Sequence, residues 1–232
     1  MKTYRFLLFD ADKTLLDFDA DMLHAFQATY LACFGSQREY SPEMLDCYEV
    51  CNNRWWAKFE RRECTKPQLF EGRFRDFMTE AGLTGDPAEI NRIYFENLGQ
   101  GGALLPGALE LVRDLSHRYD LYIVTNGNAA SQKTRLERSG LLAYVKDFFV
   151  SEAAGAAKPN KAYFDYVFAR IPDFQREQTL LIGDSLTSDM QGAQNAGLDS
   201  LWYAPLSQPV PEGLTVTYRA EEFDAIRTLL LS

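Results

Sequence analysis

Two aspartates separated by one residue, Asp10 and Asp12, directly follow the apolar residues FLLF at positions 6–9. Such a run, too short to span a membrane and ended by carboxylates, predicts a buried parallel strand. Ligands of open parallel sheets bind at the carboxyl ends of the strands. Two carboxylates this close repel each other unless a cation shares their site, so the pair suggests a metal site. A solvated turn is the alternative, because aspartate is also a favoured turn residue.

Three further groups of polar residues come at the ends of predicted strands or in the loops that follow them. They are Thr125 with Asn126, Lys158, and Asp184 with Asp189. Each group alone fits a turn, a solvated loop or a helix N-terminus. Brought together at one edge of a sheet, they match the needs of phosphoryl transfer: a nucleophile, ligands for a metal and donors to the phosphoryl oxygens.

The elements that position these groups alternate between helix and strand after residue 103. The patterns predict helices at 106–118, 129–139, 160–171, 188–196 and 220–231, and strands at 120–127, 148–151, 179–184 and 201–203. Strands that alternate with helices imply an α/β fold with a parallel, doubly wound sheet.

Residues 17–102 have a different character and predict an inserted bundle of about four helices. Apolar residues recur there at helical spacing, and Pro42, Pro67 and Pro87 stand at positions typical of helix starts. The glycine-rich residues 99–102 suit a hinge. The sequence therefore predicts a core made of residues 1–16 and 103–232, and a helical cap made of residues 17–102.

Composition and charge exclude several classes of partner. The 232 residues carry a net charge of -9, so binding to a nucleic acid polymer or an anionic membrane is not expected. The N-terminal residues show no cleavable signal pattern, and no apolar run is long enough for a membrane span, so we expect a cytoplasmic protein. The cysteines fit reduced thiols, although Cys47 and Cys51, one helical turn apart, could share a metal. The oligomeric state is left open.

The motifs in their order resemble the haloacid dehalogenase superfamily over residues 6–204, with the helical lobe inserted after the first motif. The four motifs are Asp10-Ala11-Asp12-Lys13-Thr14, Ile123-Val124-Thr125-Asn126-Gly127, Lys158-Pro159 and Gly183-Asp184-Ser185-Leu186-Thr187-Ser188-Asp189. Lys13 is a departure, since many members carry Gly, Glu or Asp there. The resemblance implies a Rossmann-like core with a helical cap and a Mg²⁺-dependent phosphomonoesterase that acts on a small phosphorylated metabolite.

The resemblance also implies a role for each motif residue. Asp10 would form an aspartyl-phosphate, while Asp12 would protonate the leaving alcohol and then deprotonate water. Mg²⁺ would be held by Asp10, Asp184 and the main-chain carbonyl of Asp12, with Asp189 ligating it or orienting its waters. The phosphoryl oxygens would be bound by Thr125 and the main-chain N–H of Asn126, and Lys158 would offset negative charge.

The segment after the first motif, through Phe18 and Asp19, resembles the pyrimidine 5'-nucleotidases. Phe18, Trp55 and Trp56 are candidates to stack on a base, which is worth about 1–3 kcal/mol per base, although such aromatics also fill helix cores. Sugar phosphates such as phosphoglycolate are the rival substrates. They would favour the cationic cap residues Arg54, Lys58, Arg61 or Arg62.

Other classes stay open as alternatives. Dehalogenases and transporting ATPases of the superfamily replace the second aspartate, which is present here as Asp12, whereas phosphomutases keep it. A phosphonate hydrolase would need a cap lysine such as Lys58 to form an imine. A receiver domain, which signals through an aspartyl-phosphate without turnover, would be shorter and would lack the inserted lobe.

Overall fold

Six parallel strands form one sheet, and the predicted site residues lie at its carboxyl edge. The computed structural model describes residues 2–232, so residue 1 of the predicted range 1–16 lies outside the described residues. The strands are β1 (Phe6–Phe9), β2 (Asp120–Thr125), β3 (Asp147–Val150), β4 (Thr179–Gly183), β5 (Asp199–Tyr203) and β6 (Tyr218–Ala220). Their order is β3-β2-β1-β4-β5-β6, with every neighbouring pair parallel. The predicted doubly wound α/β sheet is confirmed.

Five consecutive helices separate β1 from β2, and helices also connect β2 to β3, β3 to β4 and β4 to β5. The helices are α1 (Phe18–Phe34), α2 (Pro42–Glu60), α3 (Lys66–Ala81), α4 (Pro87–Leu98), α5 (Ala108–Ser116), α6 (Ala129–Arg138), α7 (Ser151–Ala154), α8 (Lys161–Phe168), α9 (Gln191–Ala196) and α10 (Phe223–Leu231). Short 3₁₀ turns at Leu141–Ala143 and Arg176–Gln178 and a π-helical turn at Leu186–Met190 complete the elements. None of the helices in residues 2–232 combines the length and apolarity that a membrane span requires.

The central strand β1 is buried on both of its faces, which explains its unbroken apolar sequence. Leu7 and Phe9 lie in one core with residues of α5 and α10, while Phe6 and Leu8 lie in a second core with residues of α8 and α9. Side chains alternate between the two faces of a strand, so both faces need apolar residues when helices cover both. This packing places the residues that follow β1 at the sheet edge between β2 and β4.

Several element boundaries differ from the sequence predictions. The strand β6 was missed because it is short and its residues Tyr218 and Arg219 are only half-buried, so it shows no apolar run. The predicted helix 220–231 consequently begins later, at Phe223. The predicted helix 188–196 begins as the π-helical turn, which carries Asp189, and Ser151 opens α7 instead of ending β3.

The chain divides into two compact units. One contains the residues up to Phe18 together with Gly102–Ser232, and the other is Asp19–Gly101. The second unit holds α1 to α4, and Pro42, Pro67 and Pro87 lie in the first turns of α2, α3 and α4 as predicted. The assignment of the ranges 1–16 with 103–232 and 17–102 as catalytic core and movable cap stays a prediction.

A buried arginine, Arg73, lies in the interior of the helical unit. Its Nη1 donates to Asn52 Oδ1 at 3.0 Å and its Nη2 to Asn91 Oδ1 at 2.7 Å. No carboxylate among the described residues pairs with it, and its charge is instead surrounded by aromatic rings. The rings within 6 Å of the guanidinium belong to Tyr48, Phe70, Phe74, Tyr94 and Phe95. Cation–π attraction is strongest for such a desolvated cation, so Arg73 joins three helices.

The Arg73→Ala variant is expected to lower the free energy of unfolding by about 2–4 kcal/mol, because it leaves a cavity and removes the donors to the buried Asn52 amide and the half-buried Asn91 amide. Urea unfolding followed by circular dichroism measures this change. The matched control is Arg92→Ala, which removes only exposed ion pairs with Glu89 and Glu96 and should cost less than about 1 kcal/mol. Equal losses in the two variants would contradict a structural role for the buried arginine.

Candidate active site

The residues predicted to do chemistry converge on the carboxyl edge of the sheet. Asp10 follows β1, Thr125 ends β2 and Asp184 follows β4, and these three strands are neighbours in the sheet. Lys158 lies in the loop between α7 and α8, and Asp189 in the π-helical turn after β4. The predicted juxtaposition is therefore present in the structure, while the roles of these residues stay predictions.

The Lys158 ammonium is buried and joins two of the carboxylates. Its Nζ donates to Asp10 Oδ1 at 2.5 Å, to Asp189 Oδ1 at 2.7 Å and to the Val124 carbonyl at 2.8 Å. All three of its protons are thus engaged. Burial opposes the charged form, but the charges of Asp10 and Asp189 outweigh it and raise the pKa of Lys158 above its ordinary value. The lysine is held as a fixed cation next to Asp10.

Asn126 holds the main chain of Lys158 at the end of β2. The Asn126 amide donates from Nδ2 to the Lys158 carbonyl at 2.9 Å and accepts from the Lys158 N–H at Oδ1, also at 2.9 Å. The side chain of Asn126 therefore fixes the main chain of the loop that carries Lys158. Its main-chain N–H, which the sequence predicted to bind a phosphoryl oxygen, follows directly after Thr125.

Three carboxylates form an acidic cluster around the lysine. One oxygen each from Asp10, Asp184 and Asp189 lies within 4.8 Å of the others. Thr14 Oγ1 bridges Asp10 Oδ2 and Asp184 Oδ1 through long contacts of 3.4 Å each. These two oxygens therefore keep most of their capacity to accept a further ligand, whereas the Asp189 oxygens are engaged by Lys158 and by the Ser185 N–H.

The charges of this cluster do not balance. Burial raises the pKa of Asp10 well above its ordinary value, and the neighbouring carboxylates add to this while Lys158 opposes it. Burial and then the charge of Asp189 raise the pKa of Asp184 to about 7. Three carboxylates around one ammonium leave negative charge that a cation would neutralise. Oxygen donors alone are typical of hard cations such as Mg²⁺, so the residues present fit that ion.

Gly183 gives Asp189 the space that it needs. A Cβ atom at position 183 would lie 2.4 Å from Asp189 Cγ, far inside van der Waals contact. Any residue other than glycine would therefore displace this carboxylate from Lys158 and from the acidic cluster. The glycine of the Gly183-Asp184 pair has a steric reason to be there.

Thr125 is buried, and its hydroxyl group can still donate a hydrogen bond. Its Oγ1 accepts a hydrogen bond from the Gly127 N–H at 3.0 Å and one from Gln132 Nε2 at 3.1 Å. Both contacts use the oxygen as the acceptor. The arrangement favours donation of the hydroxyl proton to an anion at the sheet edge, as predicted for a phosphoryl oxygen.

The Asp12 side chain lies outside the acidic cluster. Its carboxylate is half-buried and accepts from Arg135 Nη1 at Oδ1 and from Gln132 Nε2 at Oδ2, each at 2.5 Å. The ligand that the sequence predicts from Asp12 is its main-chain carbonyl, and that role stays a prediction. Gln132 and Arg135 were missed by the sequence reasoning, although a helix with few apolar residues and a buried face is a signal for buried polar groups.

The aromatic residues that were predicted to bind the substrate lie in both units, Phe18 in one and Trp55 and Trp56 in the other. Phe18 is half-buried in the same unit as the acidic cluster, and its ring lies 5.6 Å from the Arg135 guanidinium. Trp55 is buried in the helical unit against Gly72, with the Lys58 ammonium 4.4 Å from its ring centroid and its indole N–H donated to Asp76. Trp55 is therefore packed against residues of the helical unit itself.

Trp56 is half-buried and has aromatic neighbours on two helices. Its ring contacts those of Phe59 and Phe70 edge-on at 5.8 and 6.5 Å. A separate cavity of about 430 Å³ lies nearby at the connection of α2 and α3, and its lining includes Trp55, Lys58 and Arg75. The helical unit therefore offers both partly exposed aromatic surface and a charged cavity.

The cysteines also lie in the helical unit, and all four are free thiols. Oxygen and sulfur atoms of Cys47, Cys51 and Glu80 lie within 4.8 Å of one another, as a shared metal would require. The Glu80 carboxylate is exposed, however, and accepts from Arg54 Nη1 at 3.0 Å. The Arg54 guanidinium already neutralises the Glu80 carboxylate. This pairing competes with metal binding by Glu80 next to the two thiols.

Comparison with known proteins gives matches along almost the entire chain. Residues 4–197 match the family model described as haloacid dehalogenase-like hydrolase. The HAD-hydrolase YfnB of Bacillus subtilis is 41% identical over 232 residues, which cover 99% of this chain and 97% of YfnB. A crystal structure of YfnB, described as bound to magnesium and as revealing interdomain movement, superposes with a TM-score of 0.92 over 99% of each chain at 39% identity.

Two further relatives carry a named substrate class. The pyrimidine 5'-nucleotidase PynA of Streptococcus pneumoniae is 37% identical over 87% of this chain and 84% of its own length. The pyrimidine 5'-nucleotidase YjjG of Escherichia coli is 31% identical over 97% of this chain and 96% of its own length. These matches include both compact units of the fold.

Proposed function

Because the chain belongs to the haloacid dehalogenase-like hydrolases, we propose that it is a Mg²⁺-dependent phosphomonoesterase that hydrolyses pyrimidine nucleoside monophosphates through an aspartyl-phosphate on Asp10. The observation that carries this proposal is the buried Asp10 carboxylate, which accepts from the Lys158 ammonium and has oxygens of Asp184 and Asp189 within 4.8 Å. This arrangement supports the proposal of a nucleophile next to compensating charge and next to oxygen donors for a cation.

The two carboxylates of the first motif divide the chemistry between them. An Asp10 oxygen attacks phosphorus as the bond to the leaving alcohol breaks, and Asp12 gives its proton to that alcohol. In the second step a water oxygen attacks phosphorus, Asp12 takes the proton of that water, and the bond from Asp10 to phosphorus breaks. Asp12 suits both steps because its side chain lies apart from the acidic cluster.

The remaining motif residues compensate negative charge and orient the phosphoryl group. Lys158 reduces the repulsion between the Asp10 carboxylate and an anionic substrate, because its ammonium is fixed 2.5 Å from Asp10 Oδ1. Thr125 donates its hydroxyl proton to a phosphoryl oxygen. The Asn126 side chain fixes the Lys158 main chain through two hydrogen bonds, and the Asn126 main-chain N–H lies next to Thr125 in the sequence.

Asp10 and Asp184 are the side chains that would hold Mg²⁺, together with the main-chain carbonyl of Asp12, and Asp189 would bind the ion or orient its waters. The ion supplies positive charge that offsets both the clustered carboxylates and the phosphate. Two findings support it: the unbalanced charge of the cluster, and the magnesium described in the structure of the relative YfnB.

The substrate class rests on the relatives and on the aromatic residues. PynA and YjjG are named pyrimidine 5'-nucleotidases, and both match most of this chain. Among the predicted stacking residues, Phe18 and Trp56 are partly exposed, whereas Trp55 is buried. Phe18 and Trp56 are therefore the better candidates to contact a base.

The helical unit is proposed to be a cap that closes over the catalytic unit and excludes water during the reaction. It is joined to that unit by two short connections, near Phe18 and near Gly102. The interdomain movement described for YfnB supports this assignment.

A panel of phosphomonoesters tests the proposed function. With Mg²⁺ present, kcat/KM is expected to be highest for a pyrimidine monophosphate among UMP, dUMP, dTMP, AMP, GMP, phosphoglycolate and hexose phosphates, because a base adds stacking contacts worth about 1–3 kcal/mol. Phosphate release measured with and without EDTA should show that turnover needs the metal.

Two outcomes separate the parts of the proposal. A clear preference for phosphoglycolate or a hexose phosphate would refute the nucleotidase assignment and leave the phosphatase mechanism standing. Full turnover in excess EDTA, after dialysis that removes bound metal, would contradict the metal requirement itself. A Trp56→Ala variant that lowers kcat/KM for UMP but not for hexose phosphates would place the base near Trp56.

A further inference from the structure

Two side chains of α6 hold the carboxylate of Asp12 from one side. Gln132 Nε2 donates to Asp12 Oδ2 and Arg135 Nη1 to Asp12 Oδ1, each at 2.5 Å. Gln132 and Arg135 are three positions apart, so they lie on the same face of the helix. Each carboxylate oxygen therefore has its own donor, and the plane of the carboxylate is fixed by two separate contacts.

Gln132 connects Asp12 with Thr125. The same amide nitrogen that donates to Asp12 also donates to Thr125 Oγ1 at 3.1 Å. Gly127 makes this possible, because a Cβ at position 127 would lie 2.2 Å from Gln132 Nε2 and 2.6 Å from its Cγ. The glycine of the Thr125-Asn126-Gly127 motif thus gives Gln132 room to reach both side chains.

Arg135 is held as firmly as Gln132. Its side chain is 1% exposed, the Phe18 ring packs 5.6 Å from its guanidinium, and the Gln132 Oε1 accepts from its Nη1 at 3.5 Å. All of these residues belong to one compact unit of the chain. A buried guanidinium held by these contacts is a rigid support for its partner.

The geometry points to Gln132 and Arg135 as positioning residues, which hold Asp12 in the orientation for proton transfer and keep its side chain away from Asp10, Asp184 and Asp189. This inference rests on the proposed function. Neither residue exchanges a proton with the substrate: the proton goes from Asp12 to the leaving oxygen and later from water to Asp12. Without the two donors, Asp12 could turn and its proton would reach the leaving oxygen less often.

Two esters with different leaving groups reveal this role. The alkoxide that leaves UMP needs a proton, whereas p-nitrophenolate is stable enough to leave without one. Gln132→Met and Arg135→Met should each lower kcat/KM for UMP by about 10²-fold, the size of effect expected when a reacting group is misplaced. The loss for p-nitrophenyl phosphate should be at least tenfold smaller. KM for the two esters should change much less than kcat.

Two further variants complete the experiment. Arg135→Lys should recover part of the UMP activity, because an ammonium can still donate to Asp12 Oδ1. Lys133→Gln, an exposed position on the same helix, should behave like the parent on both esters. Circular dichroism and thermal unfolding of each variant show whether α6 and the sheet remain folded. If Arg135→Met does not fold, Gln132→Met and Arg135→Lys carry the comparison.

The outcomes distinguish this inference from the proposed function. Equal losses on UMP and on p-nitrophenyl phosphate, in variants that stay folded, would overturn the positioning role while the phosphatase assignment stands. Activity on UMP like that of the parent in both methionine variants would overturn it as well. A parent protein that hydrolyses neither ester would contradict the proposed function, and the proton-transfer role of Asp12 with it.

Discussion

The Asp10→Asn variant is expected to lose turnover by about four to six orders of magnitude, as is found when a catalytic nucleophile is removed. The neutral amide cannot form the phosphorylated intermediate, although it has the same shape as the carboxylate. The fold should persist, because Lys158 keeps its contacts with Asp189 and with the Val124 carbonyl. Phosphate release from UMP measures turnover, and thermal unfolding measures the fold.

The control for this variant is Asp165→Asn. Asp165 lies on α8, where it pairs with Lys161 at 2.6 Å on the surface. Its replacement removes one negative charge without touching the acidic cluster, so activity should stay within about twofold, in keeping with the small energies of exposed ion pairs. If the Asp10→Asn protein turned over as fast as the Asp165→Asn protein, Asp10 would not be the nucleophile.

Much of the site could be predicted because strand ends are visible in a sequence. The apolar residues of β1, buried on both faces, marked the sheet, and the polar residues that followed β1, β2 and β4 then had to share its carboxyl edge. Asp10 and Asp184 meet because β1 and β4 are neighbours in the sheet, and the turn that follows β4 brings Asp189 to them. Spacing along the chain was sufficient there because each residue comes within a few positions of a strand.

The rest could not be predicted because it depends on contacts between side chains distant in sequence. Gln132 and Arg135 reach Asp12 across more than 100 positions, and nothing in the local pattern of α6 indicates which residue they meet. The two hydrogen bonds between the Asn126 side chain and the main chain of Lys158 could not be predicted for the same reason. The weak strand β6 has no apolar run from which it could be recognised.

The second large effect is expected from replacing Asp12. The Asp12→Asn variant should lower kcat for UMP by about 10²–10⁴-fold, the usual contribution of a positioned proton-transfer group, because the amide can neither protonate the alcohol nor deprotonate water. Since the side chain of Asp12 lies outside the acidic cluster, the Mg²⁺ concentration that gives half-maximal activity should change little. Initial rates over a series of Mg²⁺ concentrations provide both quantities.

The Asp184→Asn variant is the matched comparison, since it also replaces one aspartate near Asp10 by its amide. Asp184 Oδ1 is one of the two cluster oxygens with remaining acceptor capacity, so its loss should shift the Mg²⁺ requirement upward as well as lower the rate. A proton-transfer group and a metal ligand thus differ in which quantity changes. An equal shift of the Mg²⁺ requirement in Asp12→Asn would mean that the Asp12 carboxylate contributes to the metal site, and an unchanged kcat would mean that another group transfers the proton.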